Sequence, residues 1–446
     1  MKPTIFSNKL LYPALVVFCL TFAAFIFLNG KSKVGIPELK QRAGALANAP
    51  EWAETQITYE ALLAELNKKP DDPKTTLQLA KTFMNEGRAT GDFSYYNASA
   101  LELIEKVLGN DPKHFEATCL KSMIFLSQHR FAEGKEIAET ALKLNPYNSF
   151  VYGLLVDAYV ELGEYEQAVE MCDRMVNIRP DIRSYSRVSY LRELHGDRDG
   201  AIQAIQQAIA AGVNGREETE WARMVLAHLY EDNNLPDRAR EQYEISLQKR
   251  PDYPFALAGL AKLESQQNNL PAAIQYYEKA AEVMSEAAFY TELAGCYAKN
   301  GQAEKAENCL RATVAALKNN QATGEAATAA HNSDFELANL YLGAGQPQLA
   351  LPYAQEEYKR RPKNIDACEV LAWSLYQSGK TNEAKPYIES ALRTGSQKPE
   401  RLVRAGVILA AAGEQLKGQE LIKKGLSFKP YLDAKLATEA HSFIQN

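Results

Sequence analysis

Apolar residues recur at helical spacing along most of the chain, and single turn residues interrupt them at regular intervals. The stretch VYGLLVDAYVELGEYEQAVEMCDRMVNIRP, from Val151 to Pro180, shows the pattern in full. Gly163 separates two apolar runs, and the small Ala168 follows five residues later. Glycine ends a helix because it adopts the left-handed conformation at little cost, and proline cannot continue one because it has no N–H. The stretch therefore predicts two closely packed helices joined by a tight turn.

The same pattern recurs along the chain with a period of about 34 residues, the spacing from Asp111-Pro112 to Asn145-Pro146 and on to Arg179-Pro180. We find it ten times between about residues 73 and 430. Eight extra residues in the first unit break the phase, as do AAGVNGREE after the fourth unit and the Ala-rich residues 317–332 after the seventh. The ten turn residues are Gly87, His129, Gly163, Gly196, Asn234, Asn268, Gly301, Gly345, Gly379 and Gly413.

A turn glycine, a following aromatic, a small residue and a closing proline in 34 residues resemble the tetratricopeptide repeat. The resemblance covers most of the chain, although Asn or His replaces the turn glycine in three units. It implies an all-α, right-handed solenoid of helical hairpins, with units one to seven over 73–320 and units eight to ten over 321–430. Residues 431–446 predict a cap helix. Residues 29–72 predict a linker with a helix around ITYEALLAEL.

Residues 10–28, LLYPALVVFCLTFAAFIFL, contain no charged residue. As a helix this segment would span about 28 Å, close to the thickness of a bilayer core. A cleaved signal peptide is the alternative, but FIFLNGKSK, at the end of this segment and just after it, offers no good cleavage site. We predict an uncleaved transmembrane anchor preceded by a short tail over 1–9, with the repeats on the exoplasmic (periplasmic) side. Protease accessibility in intact cells and in spheroplasts tests that orientation.

Charge and cysteine usage narrow the classes of partner. The net charge is −6, with +5 over residues 1–42 and −11 over the remainder. An acidic body argues against nucleic acid as the chief partner, because phosphate binding needs a basic face. The six cysteines form no CxxC and no metal-binding spacing. We therefore predict no cofactor and no metal.

No catalytic motif stands out in the sequence. SGKT at residues 378–381 is similar to the end of a phosphate-binding loop, but Ser374 stands where that loop needs glycine, and Gly379 already serves as a repeat turn. The six histidines are scattered. The prediction is a protein that is not an enzyme, and an enzyme of unrecognised type is the alternative.

The first helix of each pair in such a solenoid lines a concave groove, which in this family commonly holds an extended peptide or a partner helix. Large aromatic side chains among a few charges are typical of recognition surfaces, although any one of them could instead pack against the neighbouring helix. The predicted groove residues are Phe150, Asp157, Arg183, Tyr190, Trp221, His228, Lys262, Asn339, Trp373 and Tyr376.

The insertion in the first unit, RATGDFSYYNAS over residues 88–99, is unusually aromatic. We predict a lengthened turn between two helices, with Gly87 ending the first helix and Asn97 or Ser99 capping the second. Its aromatic residues either cover the open apolar end of the solenoid or form a docking loop. The residues that would serve docking are Arg88, Asp92, Tyr95 and Tyr96.

Together these features predict a membrane-anchored repeat scaffold that binds protein partners in its groove without catalysis. The alternative is a cell-envelope assembly factor that binds a polysaccharide or another non-protein ligand. Homo-oligomers formed through the terminal units are also possible. Because repeats of this kind serve many processes, the sequence does not identify the pathway.

Overall fold

The computed structural model describes residues 36–42, 46–47, 50–322, 332–428, 432 and 434–445. Within these residues the protein contains 22 α-helices and no strand. Helices α2 to α21 form ten successive pairs, which we number as units one to ten, so the predicted all-α helical-repeat fold is confirmed. The helices are α1 (Pro50–Lys68), α2 (Pro73–Thr90), α3 (Phe93–Asn110), α4 (Phe115–Ser127), α5 (Phe131–Leu144), α6 (Ser149–Leu162), α7 (Tyr165–Ile178), α8 (Ile182–Leu194), α9 (Arg198–Ala211), α10 (Glu217–Asp232), α11 (Pro236–Lys249), α12 (Pro254–Gln266), α13 (Leu270–Val283), α14 (Ala287–Lys299), α15 (Ala303–Ala322), α16 (Asp334–Gly343), α17 (Pro347–Arg360), α18 (Ile365–Gln377), α19 (Thr381–Ala391), α20 (Pro399–Ala411), α21 (Gln415–Ser427) and α22 (Ala434–Ile444).

The turn inside each unit needs one residue with a positive φ, and the sequence pattern identified that residue in units two to ten. His129, Asn234 and Asn268 have φ of 58°, 55° and 61°, and the six predicted turn glycines of the other units also have positive φ. Asparagine tolerates this left-handed region better than most residues that carry a Cβ. The three substitutions therefore preserve the turn that glycine makes elsewhere.

The solenoid curves because its two layers of helices pack differently. The first helix of each unit packs against the first helix of the next unit, whereas the second helices diverge. Small buried residues allow the two helices of a unit to approach closely. A methyl group added at Gly134 would lie 2.6 Å from Leu126, and one at Gly418 would lie 2.6 Å from the Gly406 carbonyl oxygen. Because the first helices of neighbouring units pack together while the second helices diverge, the first helices line the concave face.

Additional segments cover both ends of the repeat array. Helix α1 packs against unit one, and Leu62 and Leu66 enter the core of that unit. Arg42, in the segment before α1, forms a buried ion pair with Glu86, with an Nη2–Oε1 distance of 2.6 Å. At the other end, α22 places Leu436 in the core of the last two units, in the region where the sequence predicts a cap helix.

The insertion in unit one does not form a long turn, so the predicted helix boundaries there were wrong. Helix α2 continues past Gly87 to Thr90, and Gly91 (φ 77°) ends it. Asp92 then caps α3 by accepting a hydrogen bond from the Tyr95 N–H. Asn97 and Ser99, the predicted caps, lie inside α3. The extra residues therefore lengthen both helices of the unit.

The predicted membrane anchor over residues 10–28 lies outside the described residues. Among the residues that the structure describes, no helix is both long enough and apolar enough to cross a bilayer. The break predicted after unit seven begins as a helical extension, because α15 continues to Ala322.

A buried cluster of charged residues joins units nine and ten. The Arg401 guanidinium donates to Glu369 with an Nε–Oε2 distance of 2.6 Å, and it also pairs with Asp366. Arg404 Nη1 lies 3.1 Å from the second oxygen of Glu369. Burial opposes ionisation of Glu369, but Arg401, Arg404 and Lys398 outweigh it and lower the pKa of this carboxyl to about 2.

This lowered pKa predicts acid-induced loosening of the C-terminal units. The Glu369 carboxylate stabilises the fold at pH values above its ordinary pKa of 4.5, and that stabilisation is lost as the pH falls towards 2. The expected contribution is about 3 kcal/mol. Denaturant unfolding of the wild type and Glu369→Gln across this pH range measures it. The variant should be less stable near neutrality yet lose less stability in acid, whereas parallel pH dependences would contradict the assignment.

Candidate functional site

The concave face of units three to six carries a series of ion pairs that link each unit to the next. Asp157 of unit three accepts two hydrogen bonds from Arg187 of unit four, at 2.8 and 2.5 Å. Arg183 of unit four lies 2.9 Å from Glu218 of unit five. Each of these predicted groove charges therefore has a partner within the chain, which leaves it less free to bind a charged ligand.

The series of ion pairs continues into unit six. Lys262 Nζ lies 2.5 Å from Glu231 Oε2 in unit five. The second oxygen of Glu231 accepts a hydrogen bond of 2.5 Å from the Tyr243 hydroxyl. Burial opposes the charge on Lys262, but Glu231 outweighs it, so the pKa of Lys262 is raised. Charge pairing thus stabilises the stacking of neighbouring units.

Two predicted aromatic residues remain open to solvent on this face. Tyr190 on α8 is 40% exposed and Trp221 on α10 is 44% exposed. The Trp221 ring contacts Phe255 edge-on, with centroids 5.0 Å apart, and Phe255 in turn contacts Phe289 at 5.6 Å. Phe150 is half-buried on α6. Exposed aromatic side chains held by packed neighbours offer contact area at low entropic cost, which is typical of binding anchors.

The concavity also shifts the pKa of its titratable groups. The His228 side chain is open to solvent, yet the protein surrounding it lowers its pKa to about 4, so the imidazole is neutral at physiological pH. Burial raises the pKa of Glu193 to about 6 and that of Asp232 above its usual range. The protein around the partly exposed Tyr190 also raises the pKa of its hydroxyl. The inner face thus shifts the pKa of these side chains while leaving Tyr190 and His228 accessible to solvent.

The predicted groove residues of units eight and nine lie in a more closed environment. Trp373 is only 7% exposed and stacks on Tyr376 with ring centroids 5.3 Å apart. The Tyr376 hydroxyl donates to Glu439 of the cap helix α22. Asn339 donates to the carbonyl oxygen of Phe335 on its own helix. These side chains offer a partner less surface than Tyr190 and Trp221 do.

The residues predicted for a docking loop contact other parts of the same chain. Arg88 lies 3.4 Å from Glu217 of unit five, and Asp92 pairs with Lys40 at 2.6 Å. The Tyr95 hydroxyl donates to the Glu38 carbonyl oxygen at 2.6 Å. Tyr96 is buried. The insertion thus joins the segment before α1 to unit one and reaches unit five.

The concave face is closed along one side by contacts between distant units, which we call the seam. Asn364, in the loop before unit nine, donates to the Val160 carbonyl oxygen at 3.3 Å. The Ile365 N–H donates to the Tyr165 hydroxyl at 3.0 Å. Arg361 forms an ion pair with Glu161 at the end of α6. Unit three therefore contacts the loop before unit nine, which is six units further along the chain.

The seam extends to the units on either side. His129 Nδ1 in unit two lies 3.0 Å from the Asn332 carbonyl oxygen before unit eight. Arg393, before unit ten, donates to the Gly163 carbonyl oxygen at 2.6 Å. A methyl group at Gly196 of unit four would lie 2.5 Å from the Gly395 carbonyl oxygen. The sequence analysis missed these residues, since no local pattern links positions some 200 residues apart.

Among the described residues, neither cysteines nor metal ligands cluster on this face. The five cysteines in the described part of the chain are all free thiols. Within the same residues, no group of three or more His, Cys, Asp or Glu side chains is placed to hold a metal ion.

Comparisons with known proteins match this architecture. Family models described as tetratricopeptide repeat match residues 125–193, 224–288 and 335–399. A curated relative, the human protein O-mannosyl-transferase TMTC1, is 20% identical over 170 residues, which are 38% of this chain and 19% of that protein. The chain thus matches only about a fifth of the length of that relative.

Several solved protein structures are also similar to this chain, at low sequence identity. TTC0263, a thermophilic TPR protein from Thermus thermophilus, is 24% identical with a TM-score of 0.38, covering 44% of this chain and 98% of its own. A human IFIT1 dimer with PPP-AAAA is 14% identical with a TM-score of 0.46. The match covers 86% of this chain and 89% of the IFIT1 chain. PilF from Pseudomonas aeruginosa is 14% identical with a TM-score of 0.35. The match covers 61% of this chain and 100% of the PilF chain.

Proposed function

Because the chain is a tetratricopeptide-repeat protein of about ten repeats, we propose that it is a non-catalytic scaffold that binds a protein partner on its concave face. The partner segment would be an extended peptide or a helix. The observation that carries the proposal is the pair of exposed aromatic residues, Tyr190 and Trp221, on an otherwise charge-paired concave surface. Such residues dominate binding energy when a partner encloses them.

The charges on the same face support a protein partner over a polyanion. Arg183, Arg187 and Lys262 each pair with a carboxylate of the chain. A nucleic acid would have to displace those carboxylates before it could use the basic groups. The unit-to-unit pairing therefore leaves aromatic contact as the main source of affinity.

The anchor predicted over residues 10–28 is part of this proposal. It would hold the scaffold at a membrane with the repeats on the periplasmic side, and the protease-accessibility experiment named above tests it. The apolar, uncharged sequence supports this part of the proposal.

Alanine at Trp221 or Tyr190 is expected to weaken partner capture. The full-length protein, isolated from detergent-solubilised membranes, would be used as bait, and partners that co-purify would be measured for affinity. Each substitution should lower affinity by at least about tenfold while thermal stability stays near that of the wild type, because both side chains are exposed.

A matched control is Tyr147→Ala. Tyr147 is an exposed aromatic residue in the loop between α5 and α6, away from the concave surface of α8 and α10. Its loss should leave capture unchanged. Equal capture by the wild type, Trp221→Ala and Tyr190→Ala would refute binding on the concave face.

A further inference from the structure

The seam overhangs the part of the concave face that contains Tyr190. Asp366 of unit nine and Glu161 of unit three are both close enough to raise the pKa of the Tyr190 hydroxyl further, beyond the effect of burial. Glu193, on the same helix, is near Lys398 and Arg401 at the start of unit ten. A methyl group at Gly196, just after the end of this helix, would lie 2.5 Å from the Gly395 carbonyl oxygen in the loop before unit ten. The start of unit nine and the loop before unit ten therefore lie beside unit four, which carries a proposed binding anchor.

The seam is held together mainly by polar contacts, and some of them are incomplete. Both amide atoms of Gln128 are buried without a hydrogen-bond partner in the described residues, and so is the hydroxyl of Ser333. Such groups cost free energy when they leave water unpaired. Burial raises the pKa of Glu161 to about 7 although Arg361 lies beside it.

A buried apolar residue anchors the seam. Ile365 is fully buried and joins the core of units three and four, beside Val160 and Tyr165. The remaining seam contacts include hydrogen bonds, ion pairs, close approaches of backbone, and cation–π contacts of Arg361 with Phe131 and of Arg393 with Tyr165. Interfaces of this polar kind within one chain resemble transient contacts more than a continuous core.

A solvent-open cleft lies at the joint between units three and four. It has a volume of about 450 Å³, lies between α7, α8 and α9, and its lining includes Val176, Tyr185, Val188 and Arg192. Side chains that face an open cleft have fewer packed neighbours than those in a filled core. This joint connects two of the units that the seam holds.

We propose that the seam is a latch: units two to four separate from units eight to ten to admit a partner segment to the concave face beside Tyr190, and then close again. The entry of a protein segment rests on the function proposed above. The opening itself is a property of the chain alone, so it can be tested without a partner.

Gly163 offers a steric way to hold the latch open. A methyl group there would lie 2.1 Å from the Lys363 carbonyl oxygen and 2.6 Å from the Asn364 nitrogen. Gly379 occupies the same turn position in unit nine with a similar φ, 80° against 73°, and a methyl group there would meet nothing within 4 Å. Gly163→Ala and Gly379→Ala therefore introduce the same backbone strain in the turn, but only Gly163→Ala also creates a steric clash across the seam.

A tryptophan at position 190 reports access to the concave face. Of the three natural tryptophans, Trp52 and Trp373 are buried at 5% and 7% exposure. In the full-length Tyr190→Trp, Trp221→Phe background, fluorescence quenching therefore comes mainly from position 190. Free acrylamide serves as the small quencher, and a nitroxide attached to a flexible Gly-Ser peptide serves as the segment-sized one.

The latch predicts that the reporter background admits acrylamide but restricts the peptide-bound nitroxide. Adding Gly163→Ala should raise the peptide quenching constant at least about threefold, whereas Gly379→Ala should leave it unchanged. Equal peptide quenching in both variants, or free access in the reporter background, would overturn the latch. Neither outcome depends on whether a natural partner exists, so failure here is distinct from failure of the proposed function.

A milder variant covers the case in which Gly163→Ala does not fold. Arg393 is exposed, and it bridges the carbonyl oxygens of Gly163 and Lys363. Arg393→Gln should raise peptide quenching and speed amide exchange at Ile365. Arg174→Gln is its control, because the Arg174 ion pair with Glu170 lies within one helix. Identical exchange at Ile365 in both variants would also overturn the latch.

Discussion

Replacing Arg401 with alanine is expected to lower the free energy of unfolding by about 3–5 kcal/mol. Arg401 is 2% exposed, and its guanidinium pairs with Glu369 and Asp366. Without it, Glu369 remains buried with Arg404, 3.1 Å away, and the more distant Lys398. A buried charge that loses its main partner cannot regain the hydration it gave up on folding, which makes this loss larger than that of a surface pair.

The measurement is denaturant unfolding followed by circular dichroism, with amide exchange to locate the loss. Repeat arrays need not unfold in one step, so exchange should show the change in α18 and α20 first. The double variant Arg401→Met, Glu369→Leu should recover most of the lost stability, because apolar residues of similar volume avoid the unpaired charge. A double variant no more stable than Arg401→Ala would show that the loss comes from packing volume instead of charge.

Arg401 also shows where sequence pattern stops being informative. It occupies a first-helix position in unit ten that is buried between units nine and ten, and the pattern of apolar residues does not mark a charged residue as core. Glu369 provides its partner 32 residues earlier, in the previous unit. Pairing of this kind depends on how two units stack, which no single-unit signal encodes.

The local features of the fold were predictable because short-range rules decide them. The turn residues of units two to ten all have positive φ, including His129, Asn234 and Asn268. Each turn is set by a few consecutive residues and by a small residue five positions later, so the sequence contains the full information. The number of units followed from counting those turns.

The seam follows from a property that accumulates along the chain. Each unit adds a small rotation to the one before it, and six such rotations bring His129 to Asn332 and Glu161 to Arg361. A small error in the rotation per unit would separate those residues entirely. Spacing within one unit predicts which helix of a pair faces the groove, but it could not show that the concave face is closed along one side.

The prediction for the insertion in unit one was wrong for a different reason. Two glycines, Gly87 and Gly91, could each end α2, and the period of the later units favoured the first. The structure uses Gly91, and Gly87 lies inside the helix, where an added methyl group would be 3.3 Å from the Cβ of Tyr96. Close packing of α2 on α3 required the small residue there. Gly87 is thus a packing glycine, and Tyr96 is the residue it accommodates.

Replacing Tyr96 with serine is therefore expected to destabilise unit one by about 3–5 kcal/mol, comparable to truncating a buried aromatic residue elsewhere. Tyr96 is 1% exposed, and its ring lies 6.0 Å from that of Phe83 in the same core. Tyr95→Ser is the neighbouring control. It removes a hydrogen bond to Glu38 and the contact of Lys40 with the ring, and should cost about 1 kcal/mol. Thermal unfolding with amide exchange in α2 and α3 measures both. If Tyr96→Ser kept full stability and lost partner binding, the insertion would instead be a docking element.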